Sequence, residues 1–360
     1  MSSNFEYRYV ALTPEHLTGG TPRSYGTASL GASAKVYGEV DDESVAHAFE
    51  LLTRADMSRY GAAKSVNGKE YSEGGVNLVA QPDDFCGMLL YGVYGDDSSG
   101  GSSAYTFTAG VGATDPDIHT WTEDTSHILP SFTMEVGRED KEHTYTGMCV
   151  SRLSISANTG EYVMMSADFN GKAESAVSAL ATPTFDGASV DGLHFAGATI
   201  TFGDGSASTT ISTVKSISIE WNMNLNTDDA CSLGSRTYVR QPEPQMREIT
   251  GSIEFSRPPI ANADQNVDYE DVTAIGGLLR DGDTTHPAIK ATFIGASVDD
   301  ALEIKIRKVR WEAPSMNVSG RDSSTMSLNF VALVDTADNI MSEISFKVDN
   351  QGSAGRYSTL

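Results

Sequence analysis

The sequence predicts a mainly β protein with few helices, arranged as two tandem units. Three observations carry this. Apolar residues recur at every second position in segment after segment, Gly, Asn and Asp turns separate those segments, and the order of elements repeats once along the chain. Alternation is clear at 131–136, 199–202, 216–225, 302–307, 325–330 and 344–348. In 302–307, Leu302, Ile304 and Ile306 share one face while Glu303, Lys305 and Arg307 share the other. Successive side chains of a strand point to opposite faces, so this pattern marks half-buried antiparallel strands. The turn chemistry between them includes Asn170-Gly171, Gly203-Asp204-Gly205 and Asp281-Gly282-Asp283.

Helical spacing is rare. Val45, Ala48, Phe49 and Leu52 fall at i, i+3, i+4 and i+7 behind Asp41, Asp42 and Glu43, which predicts a helix in the N-terminal segment. Phe85, Met88, Leu89 and Val93 follow Pro82 and Asp83-Asp84 and stop at Gly95. Val272, Ile275, Leu278 and Leu279 follow Asp268, Glu270 and Asp271 and stop at Gly282. These last two predicted helices expose the repeat. Each unit reads strand, proline, helix, proline and three strands, with Met165-Ser166-Ala167-Asp168-Phe169 near the end of one and Met326-Ser327-Leu328-Asn329-Phe330 near the end of the other.

The predicted organisation follows. Residues 1–75 are an N-terminal segment with one helix that completes the first unit, 76–170 are the first unit with a polar insertion at 96–129, and 171–195, rich in Ala, Ser and Gly, are a linker. Residues 196–335 are the second unit with a long arm at 226–245, and 336–360 are a C-terminal strand and tail.

Composition excludes several classes of function. The 360 residues carry 49 acidic and 25 basic side chains, a net charge of −24. A protein that grips nucleic acid by neutralising phosphates is not expected with that balance. The acidity fits salty surroundings, a surface that must not stick to DNA, or simply an ordinary acidic soluble protein, since net charge bears on solubility and not on fold. No run of 18 apolar residues occurs, and the start MSSNFEYRYV lacks the basic-then-apolar order of a secretory signal, so neither a spanning helix nor a leader is expected. Cys86, Cys149 and Cys231 have no CxxC spacing, so neither a disulfide framework nor a zinc site is expected, and a reducing compartment is.

A search for chemistry returns little. Asp115, Asp117, His119, Glu123, Asp124 and His127 are ligand types in a spacing that matches no metal motif, and read as a solvated acidic loop. The 203–205 turn lacks the later acidic ligands of a calcium loop. No G-x-S-x-G, P-loop or H-E-x-x-H occurs. No catalytic residue, metal or cofactor is assigned. Trp221, Trp311, Phe255 and Phe330 lie on predicted strands and are expected to fill the core or an interface.

The strand at 217–225, the long arm, the return strand Arg247-Glu248-Ile249-Thr250-Gly251-Ser252-Ile253-Glu254-Phe255, the 268–279 helix and the strands ending at Phe330 together form a recognisable pattern. It resembles the tail tube (major tail) proteins of long-tailed bacteriophages and related archaeal tailed viruses, over most of residues 75–335. The resemblance implies β-sandwich or small open-barrel units, each flanked by one helix and stacked as rings around a channel. The arm would reach a neighbouring subunit or ring, with Asp228, Asp229, Arg236, Tyr238 and Arg240 as its candidate contact residues. A tandem copy implies a trimeric ring with pseudo-sixfold symmetry, in a virion tail assembled in the host cytoplasm. The implied partners are further copies of the chain and the tail terminator, tape-measure and baseplate or tip proteins. DNA would pass along an acidic-lined conduit without specific binding, and no membrane is involved. Two other readings stand beside it. One is a β-rich capsid decoration or surface-binding module. The other is an enzyme with a site assembled from His143, His194 and Asp204, which no spacing supports.

Overall fold

The computed structural model describes residues 8–15, 25–28, 35–55, 57–58, 60–62, 64–94, 105–108, 116–123, 129–185, 191–203, 209–211, 213–255, 288–295, 300–313, 315–317, 325–335 and 339–348. The first half runs β1 (Tyr9–Pro14), β2 (Val36–Gly38), β3 (Asp42–Glu43), β4 (Ala46–Arg54), β5 (Lys64–Val79), helix α1 (Asp84–Tyr94), β6 (Tyr105–Thr108), β7 (Asp117–Thr122), β8 (Phe132–Arg138), β9 (Lys141–Asn158), β10 (Met164–Gly171) and β11 (Ala173–Ala179). The second runs β12 (Ala198–Phe202), β13 (Thr209–Ile211), β14 (Val214–Asn222), β15 (Leu225–Asn226), β16 (Glu243–Pro244), β17 (Glu248–Phe255), β18 (Ile289–Ile294), β19 (Ala301–Ile306), β20 (Val309–Trp311), β21 (Ser315–Asn317), β22 (Thr325–Ala332) and β23 (Ser342–Val348). The chain is mainly β, as its alternation predicts.

A main sheet crosses both halves in the order β4-β5-β10-β9-β14-β17-β22, with β3 on the β4 side and β20 and β21 beyond β22. One flanking sheet runs β2-β1-β8-β9-β11 and the other β13-β12-β18-β19-β23-β7-β6. Strand β9 serves two sheets. Its residues 141–146 pair with β11, and 149–158 pair with β10 and β14. The change falls at Gly147, where φ is 67° and the Tyr25 ring occupies the space a Cβ would need.

Each half traces the same path through its sheets. The order β4-β5-β10-β9 in the main sheet corresponds to β14-β17-β22-β20, and β2-β1-β8-β9-β11 corresponds to β13-β12-β18-β19-β23. Registers correspond too. Met165, Ala167 and Phe169 of β10 face Leu78, Val76 and Gly74, while Met326, Leu328 and Phe330 of β22 face Phe255, Ile253 and Gly251.

The core lies between the main sheet and the layer formed by the flanking sheets and α1. Ile217, Ile219 and Trp221 of β14 and Ile249, Ile253 and Phe255 of β17 point into it. Phe202 of β12 meets Trp311 edge-on at 5.3 Å, and Trp311 meets Phe330 at 5.5 Å. Helix α1 is buried from Phe85 to Tyr94, starts with the Asp83 carboxylate accepting the Cys86 N–H at 2.8 Å, and packs on β9, β2 and β7.

Three expectations are corrected. The 45–52 segment is not a helix: its apolar residues match a helical spacing, but residues 46–52 lie in strand β4, which pairs with β5 through a ladder interrupted by one irregularity between Phe49 and Leu51. The proposed linker contains β11, which adds an edge to the first flanking sheet. The 96–129 insertion forms β6 and β7, and β7 pairs with β23 near the C-terminus, so the first half is stitched into the second half's flanking sheet. The predicted 268–279 helix lies outside the described residues. No helix among the described residues is long and apolar enough to cross a membrane.

Carboxyls sit in this interior, among them Glu15, Asp83, Glu123 and Glu135. Glu15 accepts backbone N–H bonds from Gly26 and Gly147, and Glu123 accepts bonds from the Met341 and Ser342 N–H groups and the Ser342 hydroxyl. Burial raises the pKa of Glu15, Asp83, Glu123 and Glu135 above the usual carboxylate range. Between the ordinary carboxylate pKa and these raised values the folded chain binds more protons than the unfolded one. Stability therefore rises as pH falls from neutral through the raised values, and the gain is complete below the ordinary pKa. Melting temperatures should rise as pH is lowered from about 8 to the ordinary carboxylate range, and a flat or inverted profile over that span would contradict the assignment. Packing gives a second expectation. A Cβ at Gly251 would lie 2.4 Å from Phe330 Cζ and 2.6 Å from the Ser218 carbonyl oxygen. Gly251→Ala should cost about 1–3 kcal/mol in denaturant unfolding, and an unchanged midpoint would show that the ring yields freely.

Candidate functional site: a polar sheet face and a braced ribbon

Because most apolar residues of the main sheet turn inward, their alternates form one continuous outward face across both halves. One row reads Asn77, Ser166, Ser154, Glu220, Thr250 and Val331 from β5 to β22. The next reads Val79, Met164, Ser156, Ser218, Ser252 and Asn329. Short hydroxyl and amide side chains make this a wetted surface with few long or apolar groups to hold a ligand. Carboxylates outnumber cations on it: Asp42, Glu73, Asp168, Glu220, Glu248, Glu254 and Glu312 against Arg152, Lys215 and Arg310. Arg152 pairs with Glu220 across β9 and β14, and Lys215 Nζ lies 3.2 Å from Glu254. These exposed pairs contribute little stability but leave the face without a basic track for phosphate.

The second feature is a ribbon. Beyond the end of β10, β4 and the first part of β5 continue as a two-stranded hairpin. Phe49, Leu52 and Val66 on it are 53%, 55% and 62% exposed. The 226–245 arm does not project alone. Its neck closes through β15 and β16, and its body lies along the β5 edge, where the Glu70 N–H donates to the Arg236 carbonyl at 2.9 Å.

The sequence-predicted arm residues fall on this brace. Asp228 accepts from Lys69 Nζ at 2.9 Å, and that contact lowers the Asp228 pKa. Asp229 bonds Asn226 at 2.5 Å, and Arg236 reaches Glu70 at 3.5 Å. Arg240 donates through Nε to the Asp229 carbonyl at 2.9 Å. Tyr238 is buried, stacks on Tyr71 at 6.4 Å with ring planes 7° apart, and has its pKa pushed by burial up to about 12. Trp221, Trp311, Phe255 and Phe330 are all buried in the core, with Trp221 Nε1 donating to the Ser342 hydroxyl at 3.2 Å.

The other chemistry the sequence raised does not converge. Asp117 and His119 stand on β7 and Glu123 just after it, so this stretch is a buried strand end and not a solvated loop. The Tyr105 hydroxyl and His119 Nδ1 lie 2.8 Å apart, and burial lowers the His119 pKa. Asp115, Asp124 and His127 lie outside the described residues. Among the described residues no group of three or more His, Cys, Asp or Glu side chains is arranged to hold a metal ion. His143 bonds Glu174 at 2.7 Å on the β9–β11 edge, His194 bridges to Tyr162, and Asp204 lies outside the described residues. The polar face was missed in the sequence, since it appears only once β9 and β14 are known to be neighbours.

If Tyr238 pins the arm, Tyr238→Ala should speed tryptic cleavage after Arg236 and Arg240 by about tenfold or more, because the truncation removes about 3–5 kcal/mol of burial. Tyr238→Phe should cleave at the wild-type rate. Equal rates for the alanine variant and wild type would remove Tyr238 from that role.

No curated protein matches the chain. The family model described as "Phage tail tube protein" matches residues 15–332. That span takes in every strand of both halves except β1 and β23. The chain belongs to the phage tail tube protein family and is a structural component of the virion tail.

Proposed function

We propose that this chain polymerises as stacked rings into the tail tube, with the polar face of the main sheet lining the bore through which viral DNA leaves. The observation that carries the reading is the continuity of that face across both halves of one chain. A bore wall must be wetted and low in cations, because any basic track would hold the polymer it has to release. The acidic bias of the face meets that need.

The matching strand order of the halves supports a tandem origin. Each chain then supplies two of six equivalent places, and three chains make a ring with pseudo-sixfold symmetry. The β4–β5 ribbon, braced by Asp228, Arg236 and Tyr238 of an arm that Asp229 and Arg240 hold together, carries its exposed apolar residues to a neighbouring subunit or ring. Tail terminator, tape-measure and baseplate or tip proteins are the further partners, assembly takes place in the host cytoplasm, and the role is structural with no catalysis.

Electron microscopy of the purified chain across concentration and salt tests the assembly, with rings or hollow tubes of threefold or sixfold projection expected. In a Cys231→Ser background, Ser252→Cys labelled with a small maleimide–gold cluster tests the wall. The label should appear along the tube axis. Gold on the outer rim would reverse the assignment of the face. Small monodisperse particles under every condition would favour a decoration protein.

A further inference from the structure

The internal seam of the main sheet suggests how separate chains meet, and one contact stands in the way. Inside the chain, β14 pairs with β9 through Ile219 opposite Ile155 and Glu220 opposite Ser154. In the first half, β3 and β4 occupy the place of β14. Asp42 and Ala46 face Asn77 and Glu73 of β5, as Ser216 and Glu220 face Glu254 and Thr250 of β17. Val45 is therefore the counterpart of Ile219. At the other end of the sheet, Ser315 and Met316 of β21 face Ser327 and Met326, as Ser154 and Ile155 of β9 face Ser166 and Met165. Among the described strands, β3 and β4 pair only with β5, and β20 and β21 only with β22. The main sheet thus ends in two unlike edges that already meet in equivalent form inside the molecule.

The edge at Val45 is occupied by side chains. The Ser44 N–H donates inward to the Gly75 carbonyl at 2.9 Å, so alternation sends the Val45 N–H and carbonyl outward. The Val45 N–H donates to Glu43 Oε2 at 3.1 Å, and the Val45 carbonyl accepts from an Arg138 Nη. Arg138 also holds Glu43 through Nε at 2.7 Å and through Nη at 2.5 Å, and reaches the Tyr145 hydroxyl at 3.1 Å. A carboxylate and a guanidinium together satisfy the two backbone groups that the counterpart of β9 would use. A charged plug of this kind keeps an edge strand from pairing at random.

We propose that the 44–48 edge of one chain pairs antiparallel with the β20–β21 edge of a second copy, Ala46 opposite Ser315, and that the Glu43–Arg138 clamp guards this edge until the second copy displaces it. The inference rests on the ring reading above and adds the seam, its register and its guard. The contact is head-to-tail, so repetition closes a ring or extends a polymer. It also predicts a lag: the free chain must open a charge-assisted pair before its edge can be used.

Two variants test it, both in the Cys231→Ser background. Chains carrying Ala46→Cys are mixed with chains carrying Ser315→Cys under mild oxidation, with assembly followed by light scattering and microscopy. Opposed strand residues lie within disulfide reach, so the mixed disulfide should form in assembled material and not in either chain alone. Arg138→Ala, checked for folding by circular dichroism, should assemble about tenfold faster or at about tenfold lower concentration than wild type, the change expected for losing one charge-assisted bond. Glu43→Gln should shift the same way by less. Assemblies that form without the mixed disulfide would overturn the seam while leaving the ring reading intact. A folded Arg138→Ala chain that assembles no faster than wild type would overturn the guard. Folded chains that never assemble, variant or not, would overturn the ring reading and the inference with it.

Discussion

The pairing of β9 with β14 is the constraint on which the rest of the molecule depends. Seven residues of β14, Ser216 to Asn222, lie against Asn158 to Arg152 of β9, and this ladder alone turns two half-sheets into one. The register is pinned by burial. Ile217, Ile219 and Trp221 point to the core, so a one-residue slip would place an indole and two isoleucines in solvent and serines in the interior. Once that register holds, the outward residues of both halves have to form a single polar surface. The flanking sheets then cover the other face from both ends, with α1 filling the space between them.

Much of the β content is legible in the sequence, for a physical reason. Strands β14, β19 and β22 bury one face and wet the other, so alternation along the chain mirrors alternation in space. The signal fails where that asymmetry is missing. Strand β4 runs through a ribbon exposed on both sides, so nothing forces its apolar residues to alternate, and Ala48, Phe49 and Leu52 fall by chance on a helical spacing with the buried Val45 that precedes the strand. Strand β11 is mostly exposed and rich in Ala and Ser, which reads as a linker. Strand β7 pairs with β23, more than two hundred residues away, and no local pattern can announce that partner. The candidate site is less legible than the fold. Arg236 and Tyr238 could be picked out as part of an excursion between strands, but their contact with β5 is tertiary. The polar face is a property of strand order, which single segments do not encode.

The acidity of the chain also divides by location. Some carboxylates are structural: Glu15 and Glu123 collect backbone N–H groups from distant segments and hold loops and strand ends together at the cost of a raised pKa. Others are superficial and lie on the outward face, where they accept water and repel phosphate. Net charge alone cannot separate these roles. The first kind ties stability to pH through proton binding, and the second ties behaviour to ionic strength through screening.

Strands β6 and β7 leave the first half and finish in the flanking sheet of the second, where β7 holds the edge of β23 over six residues. The two halves are therefore joined three times: by the covalent chain, by the β9–β14 ladder and by this crossing strap. Pulling them apart along the sheet would load two hydrogen-bonded ladders in parallel, not one after the other. In any closed assembly of such chains the seams would then differ in mechanical strength. Those inside a chain would be reinforced and those between chains would not, so the wall would yield under load only at the boundaries between molecules.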